Sequence, residues 1–585
     1  MLRLFIKSYF EILKVNWFAS GCVLFLNITM GLYPVVSAIL IQSIINNLVS
    51  HSNETGSWVS FLIAYIVLII VMNAAEGILM YANGYLSNNA AFVVEQKILT
   101  RTRGLSLNDF ESNSTYSTIE KLVNESVAKP FSAFQDINSM IKSIVALFSG
   151  ATFLLSVNSI YMVAIIAINI VALPILINLA KRGFKIQWDR AEDERKAWYF
   201  KYLLTHEFSI KEVKMQNLFP YFFSRYKELK TMFIRQNLKI LKNLSVFNLV
   251  YETMISAVTL VIITSVIISI ASGKILIGYL TSVSQVTTSF SSNVKSMVNT
   301  VYTMTFDVAT LKKLYDFIET DIQVTTEILD TIESISTIEF KDVSYKYGDS
   351  LVLDNINFEI KPNQVVALVG ENGSGKSTLV KLAAGLYKTQ EDAGEILVNG
   401  SSLNKYDFNS YRARVSVLFQ DFVKYELTLK ENIALGDVNE IDNDSKVEDK
   451  VEKLQKYLGP TKSDQQLGVW FENGRQLSGG QWQSVALSRA YMPDNANLFI
   501  LDEPNSAMDK IKEDALFDEF NKFIKSNYGK MGLFVSHTLK FAQHADTIIV
   551  LNNGKIDGVG DHDELLKSSL TYRKMWEVEY GVAAQ

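Results

Sequence analysis

The sequence predicts two fused parts: an N-terminal all-α transmembrane domain and a C-terminal α/β domain with an inserted helical subdomain. Of the 585 residues 48% are hydrophobic and only 20% are charged. The apolar residues of the first part fall into long runs, whereas short apolar strands alternate with helical patterns beyond residue 337. We therefore expect a transmembrane domain over 1–325, a linker over 326–336 and the α/β domain over 337–585.

Six apolar runs in the first part are each long enough to cross a bilayer as a helix, which takes about 20 residues. They cover 17–48, 58–82, 133–157, 160–180, 243–272 and 275–300. The alternative, buried helices of a large soluble domain, is less consistent with the sequence because soluble cores rarely repeat six such runs. The pattern predicts a multi-pass protein of the cell membrane, with the lipid bilayer as a partner.

Loop charges predict the orientation of these helices, because cytoplasmic loops carry an excess of Lys and Arg. Segments 50–56 and 157–160 contain neither residue, whereas the segments after the second and fourth runs are basic. Both termini and the second domain are therefore predicted to be cytoplasmic. The net charge of −5 and the lack of a basic tract argue against a nucleic-acid partner, and the single cysteine, Cys22, excludes disulfides and cysteine-based zinc sites.

The second part has the pattern of a mostly parallel sheet with helical crossovers. Predicted strands cover 337–340, 365–369, 415–419, 498–501, 533–536 and 547–551. Residues 437–466 are polar, highly charged and helical in pattern. They are predicted to form the inserted helical subdomain.

A phosphate-binding loop follows the strand at 365–369 and opens a helix. Its sequence, Gly-Glu-Asn-Gly-Ser-Gly-Lys-Ser-Thr over 370–378, matches the P-loop pattern in the required context. The residues expected to contact phosphate are Gly370, Asn372, Gly373, Ser374, Gly375, Lys376, Ser377 and Thr378. Glycines let backbone N–H groups curl around phosphate oxygens, Lys376 reaches the terminal phosphates and the Ser377 hydroxyl binds Mg²⁺. An ordinary glycine-rich turn is the alternative.

Two carboxylates end the apolar strand at 498–501. Asp502 is expected to hold Mg²⁺, directly or through water, and Glu503 to act as the general base that polarises the attacking water. By itself, a strand that ends in an acidic pair is weak support for an ATPase site. In a chain that has a P-loop before it, the same pair is strong support. The second domain is therefore predicted to be an α/β P-loop ATPase domain.

Further motifs resemble those of the ABC-transporter ATPases. Leu477-Ser478-Gly479-Gly480-Gln481 is similar to their signature, and the remaining set follows in order with Tyr347, Gln420, a D-loop at 506–509 that ends in Asp509, and His537. The six runs followed by this domain resemble ABC exporters of type 1, with domain-swapped helices. The resemblance implies ATP and Mg²⁺ as cofactors.

The resemblance also assigns roles to these residues. It implies that Tyr347 stacks on adenine, Gln420 joins Ser377 and Asp502 at Mg²⁺, and His537 contacts the γ-phosphate. Gln420, Glu503 and His537 are the expected catalytic set. Ser478, Gly480, Gln481 and Asp509 belong to the ATP site, with Ser478 and Gly480 meeting ATP bound by the other subunit.

Departures from the family pattern are mild and remove no catalytic group. Asn505 stands where Thr is usual, Met508 replaces Leu and Thr538 replaces Arg. A homodimer with two competent sites is therefore favoured over a degenerate heterodimer. The other histidines, His51, His206, His544 and His562, lie outside any motif and are expected to be surface residues.

The segments 419–433 and 468–483 resemble those of lantibiotic and bacteriocin exporters, while 109–123 and 203–218 resemble the two cytoplasmic coupling loops. This implies outward transport of a peptide substrate, with peptide-modifying enzymes as potential partners. No cysteine protease precedes the first run, so export without leader cleavage is expected. A multidrug or lipid exporter of the same architecture is the alternative; a non-transporting regulator is disfavoured by the intact Glu503.

Some ionisable residues lie deep within the apolar runs. Glu76, Glu252 and Lys295 are expected in the inner half of the bilayer, where such groups normally face a bundle interior or a water-filled cavity. One interpretation is an acidic cavity that attracts a cationic peptide. The other is internal pairing of Lys295 with a glutamate.

Overall fold

Long helices make up the first part of the chain and two sheets the second, in a computed structural model. It describes residues 2–49, 57–157, 159–320, 329–390, 392–504 and 510–581. Internal contacts divide the chain into two units. One comprises Met1–Leu105 and Glu111–Ile322, and the other Ser106–Phe110 and Gln323–Gln585.

The first unit is helical, as the apolar runs predict. The helices up to residue 319 are α1 (Leu2–Val15), α2 (Trp17–Val49), α3 (Ser57–Arg103), α4 (Leu107–Glu111), α5 (Asn113–Lys121), α6 (Lys129–Val157), α7 (Ser159–Asp189), α8 (Ala191–Thr205), α9 (Glu207–Met215), α10 (Phe219–Ala271) and α11 (Gly278–Glu319). At 1.5 Å per residue, the longest of them far exceed the roughly 30 Å of a hydrocarbon core. They therefore extend beyond any membrane that they cross.

Four helices of the described ranges are long and apolar enough to cross a membrane: Trp17–Val49, Trp58–Arg103, Lys129–Val157 and Phe219–Ala271. The apolar runs at 160–180 and 275–300 lie in α7 and α11. The α11 sequence contains many Ser and Thr residues, which lower its hydropathy. The number of six spans stays a prediction.

Polar contacts hold α2 against the start of α11. Gly278 N donates to Asn46 Oδ1 at 2.8 Å, and Ser282 Oγ donates to Gln42 Oε1 at 2.7 Å. Gln285 Nε2 continues the series by donating to Ser37 at 2.8 Å. Each of these polar groups thus has a partner on the facing helix, which an apolar environment requires.

The second unit contains ten strands and nine helices of four or more residues among its described residues after 329. The strands are β1 (Ile338–Tyr347), β2 (Ser350–Ile360), β3 (Val365–Gly370), β4 (Glu395–Val398), β5 (Ser401–Ser402), β6 (Val415–Leu418), β7 (Leu498–Asp502), β8 (Met531–Val535), β9 (Thr547–Asn552) and β10 (Lys555–Gly560). The helices are α12 (Lys376–Ala383), α13 (Phe408–Arg412), α14 (Leu429–Ala434), α15 (Asp444–Leu458), α16 (Gly479–Ala490), α17 (Lys510–Ser526), α18 (Leu539–Ala542), α19 (His562–Ser568) and α20 (Leu570–Tyr580).

The larger sheet has the order β10-β9-β3-β8-β7-β6 and is parallel except at β10. Strands β3, β7 and β8 are buried along their whole length, which explains why their sequences are continuously apolar. Because β3, β8, β7 and β6 are neighbours, the segments that follow them meet at one edge.

A second, antiparallel sheet has the order β2-β1-β4-β5. Of its strands, only the start of β1 was predicted from the sequence, since the others alternate weakly and are short or irregular. The region predicted as a helical subdomain contains α15, whose apolar side chains form a core with α14 and α16. The fold is that of an α-helical domain joined to an α/β ATPase domain.

The expected linker over 326–336 falls within the second unit, which begins again at Gln323. Ile332 and Ile335 are buried in the core that the antiparallel sheet shares with β3 and α12. Residues 321–328 lie outside the described ranges. The segment Ser106–Phe110, which overlaps the first expected coupling region (109–123) only at its last two residues, also belongs to the second unit. There Leu107 packs on the same core, and Tyr345 Oη donates to Asn108 Oδ1 at 3.2 Å.

Candidate functional site

The P-loop connects the buried strand β3 to the N-terminus of α12, as the sequence predicts. Gly375 is the N-cap residue of α12 with φ +105°, a conformation that side-chain-bearing residues rarely adopt. A Cβ on Gly370 would lie 2.2 Å from Leu551 O, so the loop can approach β9 only with glycine there. The loop therefore wraps closely around the helix N-terminus, where backbone N–H groups attract anions.

The loop has the polar character that a phosphate requires. Ser374 Oγ is buried and makes no hydrogen bond to any residue in the described ranges. A buried hydroxyl without a partner costs free energy unless a ligand completes its hydrogen bonds. Ser377, in contrast, is exposed on the first turn of α12, where it is free to contact an ion. These features fit an ATP phosphate chain with its Mg²⁺.

Lys376 lies buried inside this loop. Its Nζ donates to the carbonyl oxygens of Gly370 at 2.8 Å and Glu371 at 3.0 Å. Burial lowers the pKa of Lys376, while the carboxylates of Glu503 and Asp502 act in the opposite direction. The ammonium is thus held by weak carbonyl acceptors that phosphate oxygens, which are charged, can replace.

Asp502 and Glu503 stand at the end of β7, beside the P-loop. Burial and, to a lesser extent, the nearby Glu503 carboxylate together raise the pKa of Asp502 to about 6, although Lys376 acts in the opposite direction. A cation beside Asp502 would favour its ionised form, which is what a Mg²⁺ ligand requires. Glu503 has φ +48°, a conformation that costs a non-glycine residue about 1–3 kcal/mol. Its surroundings must therefore hold it.

Gln420 and His537 provide that support. Gln420 Nε2 donates to Glu503 Oε2, and His537 Nε2 contacts Glu503 Oε1. Gln420 follows β6 and His537 follows β8, so the contacts come from the strands on both sides of β7. The structure thus brings together the three residues that the sequence predicts as catalytic.

The remaining predicted site residues also belong to the second unit. Ser478 is the N-cap of α16 and forms a capping box with Gln481, and Gly480 lies in the first helical turn. Tyr347 ends β1. Asn372 and Gly373 are exposed in the P-loop, and Thr378 is buried in α12. The D-loop at 506–509, including Asp509, lies outside the described residues.

Sequence reasoning missed several supporting side chains. Gln483 is buried in α16, and its Nε2 donates to Pro504 O, directly after Glu503. Ser536 Oγ accepts from Thr538 N at 3.0 Å, and Glu579 of α20 accepts from Leu539 N at 2.7 Å. These bonds secure the segment that carries His537. Only the position of Ser536 beside His537 could have suggested such a role.

The membrane unit contains a second candidate site. Lys295 Nζ lies 2.7 Å from Glu252 Oε1, which is the pairing that the alternative interpretation predicts for those two side chains. Glu76 is exposed on α3. A cleft of about 780 Å³ lies between α2, α10 and α11 and is lined by hydroxyl and amide groups of α11, with Thr281, Ser284, Gln285, Thr288, Ser289 and Ser292.

A P-loop, two carboxylates and their glutamine and histidine partners at one sheet edge define a P-loop ATPase, here joined to membrane-type helices. Residues 353–506 match the family described as ABC transporter. The chain is 36% identical over 560 residues to the subtilin transport ATP-binding protein SpaT of Bacillus subtilis, over 94% of this chain and 90% of that protein. The chain belongs to the ABC transporters and is an exporter with fused membrane and ATPase domains.

Other relatives support the same assignment. The nisin transport ATP-binding protein NisT of Lactococcus lactis subsp. lactis is 33% identical over 95% of this chain and 92% of its own length. The ATP-dependent lipid A-core flippase 2 of Colwellia psychrerythraea is 26% identical over 98% of this chain and 96% of its own length. A bacterial Atm1-family ABC exporter with ATP bound has the same fold, with a TM-score of 0.76 at 19% identity over 98% of this chain and all of that one.

Lys376→Ala is expected to weaken ATP binding about 10- to 100-fold, since hydrogen bonds to charged groups contribute roughly 1.5–3 kcal/mol. Equilibrium binding of a fluorescent ATP analogue to the full chain would measure this. Lys361→Ala, at an exposed lysine after β2, is the matched control and should bind normally. Unchanged affinity of Lys376→Ala would contradict the assignment of the P-loop.

Proposed function

We propose that this ABC exporter moves a peptide of the lantibiotic or bacteriocin class from the cytoplasm outward. The observation that supports this most is the match over nearly the whole chain to two proteins whose names include subtilin and nisin transport. Because that match includes the membrane helices, it extends beyond the ATPase domain that all such transporters share. The hydroxyl-lined cleft beside α11 suits a substrate with many hydrogen-bonding groups.

The proposed cycle uses two chains. ATP binds to the P-loop of one chain, with Tyr347 stacked on adenine, and Ser478 and Gly480 of the partner chain contact its γ-phosphate through the N-terminus of α16. Ser377, Gln420 and Asp502 would hold Mg²⁺, which neutralises phosphate charge. Glu503 then orients and deprotonates water, while His537 contacts the γ-phosphate. Closure of the ATPase domains drives alternating access of the membrane domains.

The topology forms part of the proposal. Both termini and the ATPase domain are cytoplasmic, six helices cross the membrane, and the two coupling regions transmit closure to them. The contact of Tyr345 with Asn108, directly before the first region, supports a coupling role for this part of the chain. Peptide-modifying enzymes are the partners that would supply the substrate.

Uptake into inside-out vesicles tests the proposal. Full-length protein in such vesicles should accumulate subtilin or nisin, or their precursors, in the presence of ATP and Mg²⁺. Vesicles with Glu503→Gln protein are the control for leakage and surface binding. Equal accumulation in both preparations would contradict peptide export.

Transport of a lipid or drug remains a second candidate. The flippase match over 98% of this chain favours it specifically. Translocation of a fluorescent lipid or extrusion of a dye by the same vesicles, without peptide uptake, would establish this alternative instead.

The acidic-cavity interpretation predicts a defect in transport. Glu76→Gln combined with Glu252→Gln should reduce peptide-stimulated ATPase activity and export of a cationic peptide, because the cavity loses its negative charge. ATPase activity measured without peptide is the internal reference. A double variant that exports normally would refute the acidic cavity.

The ion pair between Lys295 and Glu252 defines the control. If pairing alone matters, Glu252→Gln fails because it leaves Lys295 unpaired, and adding Lys295→Met should restore folding and export. If the carboxylates attract the substrate, the same addition should not restore export. Rescue by Lys295→Met would therefore favour pairing over substrate attraction.

A further inference from the structure

Three tyrosines form a cluster between the antiparallel sheet and the P-loop helix. Tyr345 and Tyr347 lie two residues apart on β1 and so share one face of the strand, and Tyr387 follows α12. Tyr345 stacks on Tyr387 with ring centroids 5.1 Å apart and planes 11° apart. Tyr347 meets both rings edge-on, at 5.3 Å and 5.8 Å.

Burial distinguishes the three rings. Tyr345 and Tyr387 are each only 2% exposed, whereas Tyr347 is 37% exposed. Tyr347 is therefore the member of the cluster whose ring can contact a ligand, and the other two rings form its support. Part of the Tyr347 ring surface is thus open to solvent, and an accessible aromatic face is what a nucleobase stacks on.

Hydrogen bonds orient the exposed ring. Tyr347 Oη donates to Tyr387 Oη at 3.0 Å, and Lys381 Nζ donates to the same oxygen at 3.1 Å. The Lys381 ammonium also lies 5.3 Å from the centroid of the Tyr387 ring. Because this oxygen receives a charged donor as well, it is a well-placed acceptor for the Tyr347 hydroxyl.

Lys381 lies in α12, whose N-terminus forms the phosphate-binding end of the site. The chain of contacts from Tyr347 through Tyr387 to Lys381 therefore connects the expected base-binding side chain to the phosphate-binding helix. No sequence motif includes Tyr387 or Lys381. The base-binding and phosphate-binding ends belong to different sheets, so a fixed connection between them determines how well both ends of one nucleotide fit.

We propose that Tyr387, with Lys381, is a positioning residue that orients Tyr347 for stacking on a base and so determines preference for a nucleoside triphosphate over a bare triphosphate. This rests on the proposed function, in which Tyr347 contacts adenine. The Tyr387 hydroxyl acts on the base-binding end through its hydrogen bond with Tyr347. Phosphate binding and hydrolysis depend on the P-loop and Glu503.

Tyr387→Phe in the full-length protein tests this, because it keeps the ring and its stacking on Tyr345 but removes the shared oxygen. The KM for ATP should rise about two- to tenfold, the effect of one hydrogen bond worth about 0.5–1.5 kcal/mol. The kcat should be unchanged. The inhibition constant of inorganic tripolyphosphate, which has no base, should also stay unchanged.

Two further variants complete the test. Tyr347→Phe removes the same bond from its other side, so it should match Tyr387→Phe, and the double variant should be no worse than either. Tyr411→Phe is the control for loss of a buried hydroxyl, since Tyr411 Oη donates to Ala383 O at 2.6 Å at the end of the same helix. Tyr411→Phe should not change the ratio of the KM for ATP to the inhibition constant of tripolyphosphate.

The outcomes separate the inference from the proposed function. Equal weakening of ATP and tripolyphosphate by Tyr387→Phe, or an unchanged KM for ATP, would overturn the positioning role. Tyr347→Ala serves as the reference for the base contact. If it too leaves the KM for ATP unchanged, the proposed stacking of Tyr347 on adenine fails; if it raises the KM while Tyr387→Phe does not, only the positioning role fails.

Discussion

Glu503→Gln is expected to abolish turnover while preserving ATP binding. Loss of a general base costs about 10²- to 10⁴-fold in rate. The variant should therefore accumulate with ATP bound and its ATPase domains closed. Phosphate release measures the rate, and retention of labelled ATP after rapid gel filtration measures the trapped state.

The contacts of Glu503 allow Glu503→Gln to remove the base without removing its neighbours' contacts. Glu503 contacts Gln420 through one carboxylate oxygen and His537 through the other. A glutamine amide has the same shape, and its oxygen can accept from Gln420 while its amino group faces His537 Nε2. The left-handed backbone at Glu503 is also unaffected, so the loss can be assigned to the missing base rather than to rearrangement.

A nearby carboxylate supplies the control. Glu371 lies exposed within the P-loop and contacts Lys376 through its backbone carbonyl, not through its side chain. Glu371→Gln removes the same charge close to the same phosphates and should retain most of the activity. If Glu503→Gln turned over ATP as fast as Glu371→Gln, Glu503 could not be the general base.

The sequence locates the expected catalytic residues because each follows a strand of the parallel part of the larger sheet. Asp502 and Glu503 end β7, and β3 leads into the P-loop, so local patterns locate both. Parallel strands present their carboxyl ends at one edge, and this geometry alone brings Gln420 and His537 to Glu503. Local motifs are therefore enough to locate these residues, because the sheet topology brings them together.

The tyrosine cluster could not be predicted in this way. Tyr347 and Tyr387 are 40 residues apart on an antiparallel strand and a loop, and neither spacing nor composition indicates that their hydroxyls meet. The antiparallel sheet itself was mostly missed, since β4 and β5 span only four and two residues. Short strands are stabilised by tertiary packing, which a sequence pattern does not reveal.

The pairing of Glu252 with Lys295 illustrates a different limit. Depth in the bilayer can be inferred from position along a run of apolar residues, but the rotational setting of α10 against α11 cannot. The two residues are 43 positions apart on separate helices, and only their packing decides whether the charges meet or face a cavity. The sequence therefore left both interpretations open.

The proposed composite site predicts that two inactive variants restore each other when mixed. Chains with Lys376→Ala have a defective P-loop and an intact signature. Chains with Ser478→Arg have an intact P-loop and a defective signature. In a mixed dimer, the intact P-loop of one chain faces the intact signature of the other, and the second site lacks both. Random mixing should therefore restore at most roughly one quarter of the wild-type ATPase rate, because half the dimers are mixed and each has one competent site.

The Ser478→Arg variant requires a control for its effect on folding. Ser478 caps α16 through its bond with Gln481, and loss of such a cap costs about 1 kcal/mol of helix stability. Ser445→Arg, at an exposed serine in the first turn of α15, tests whether a new arginine alone impairs the domain. Separate affinity tags on the two chains allow mixed dimers to be isolated. Isolated mixed dimers without ATPase activity would show that Ser478 does not complete the site of the partner chain, whereas activity confined to them is possible only if the site is shared between two chains.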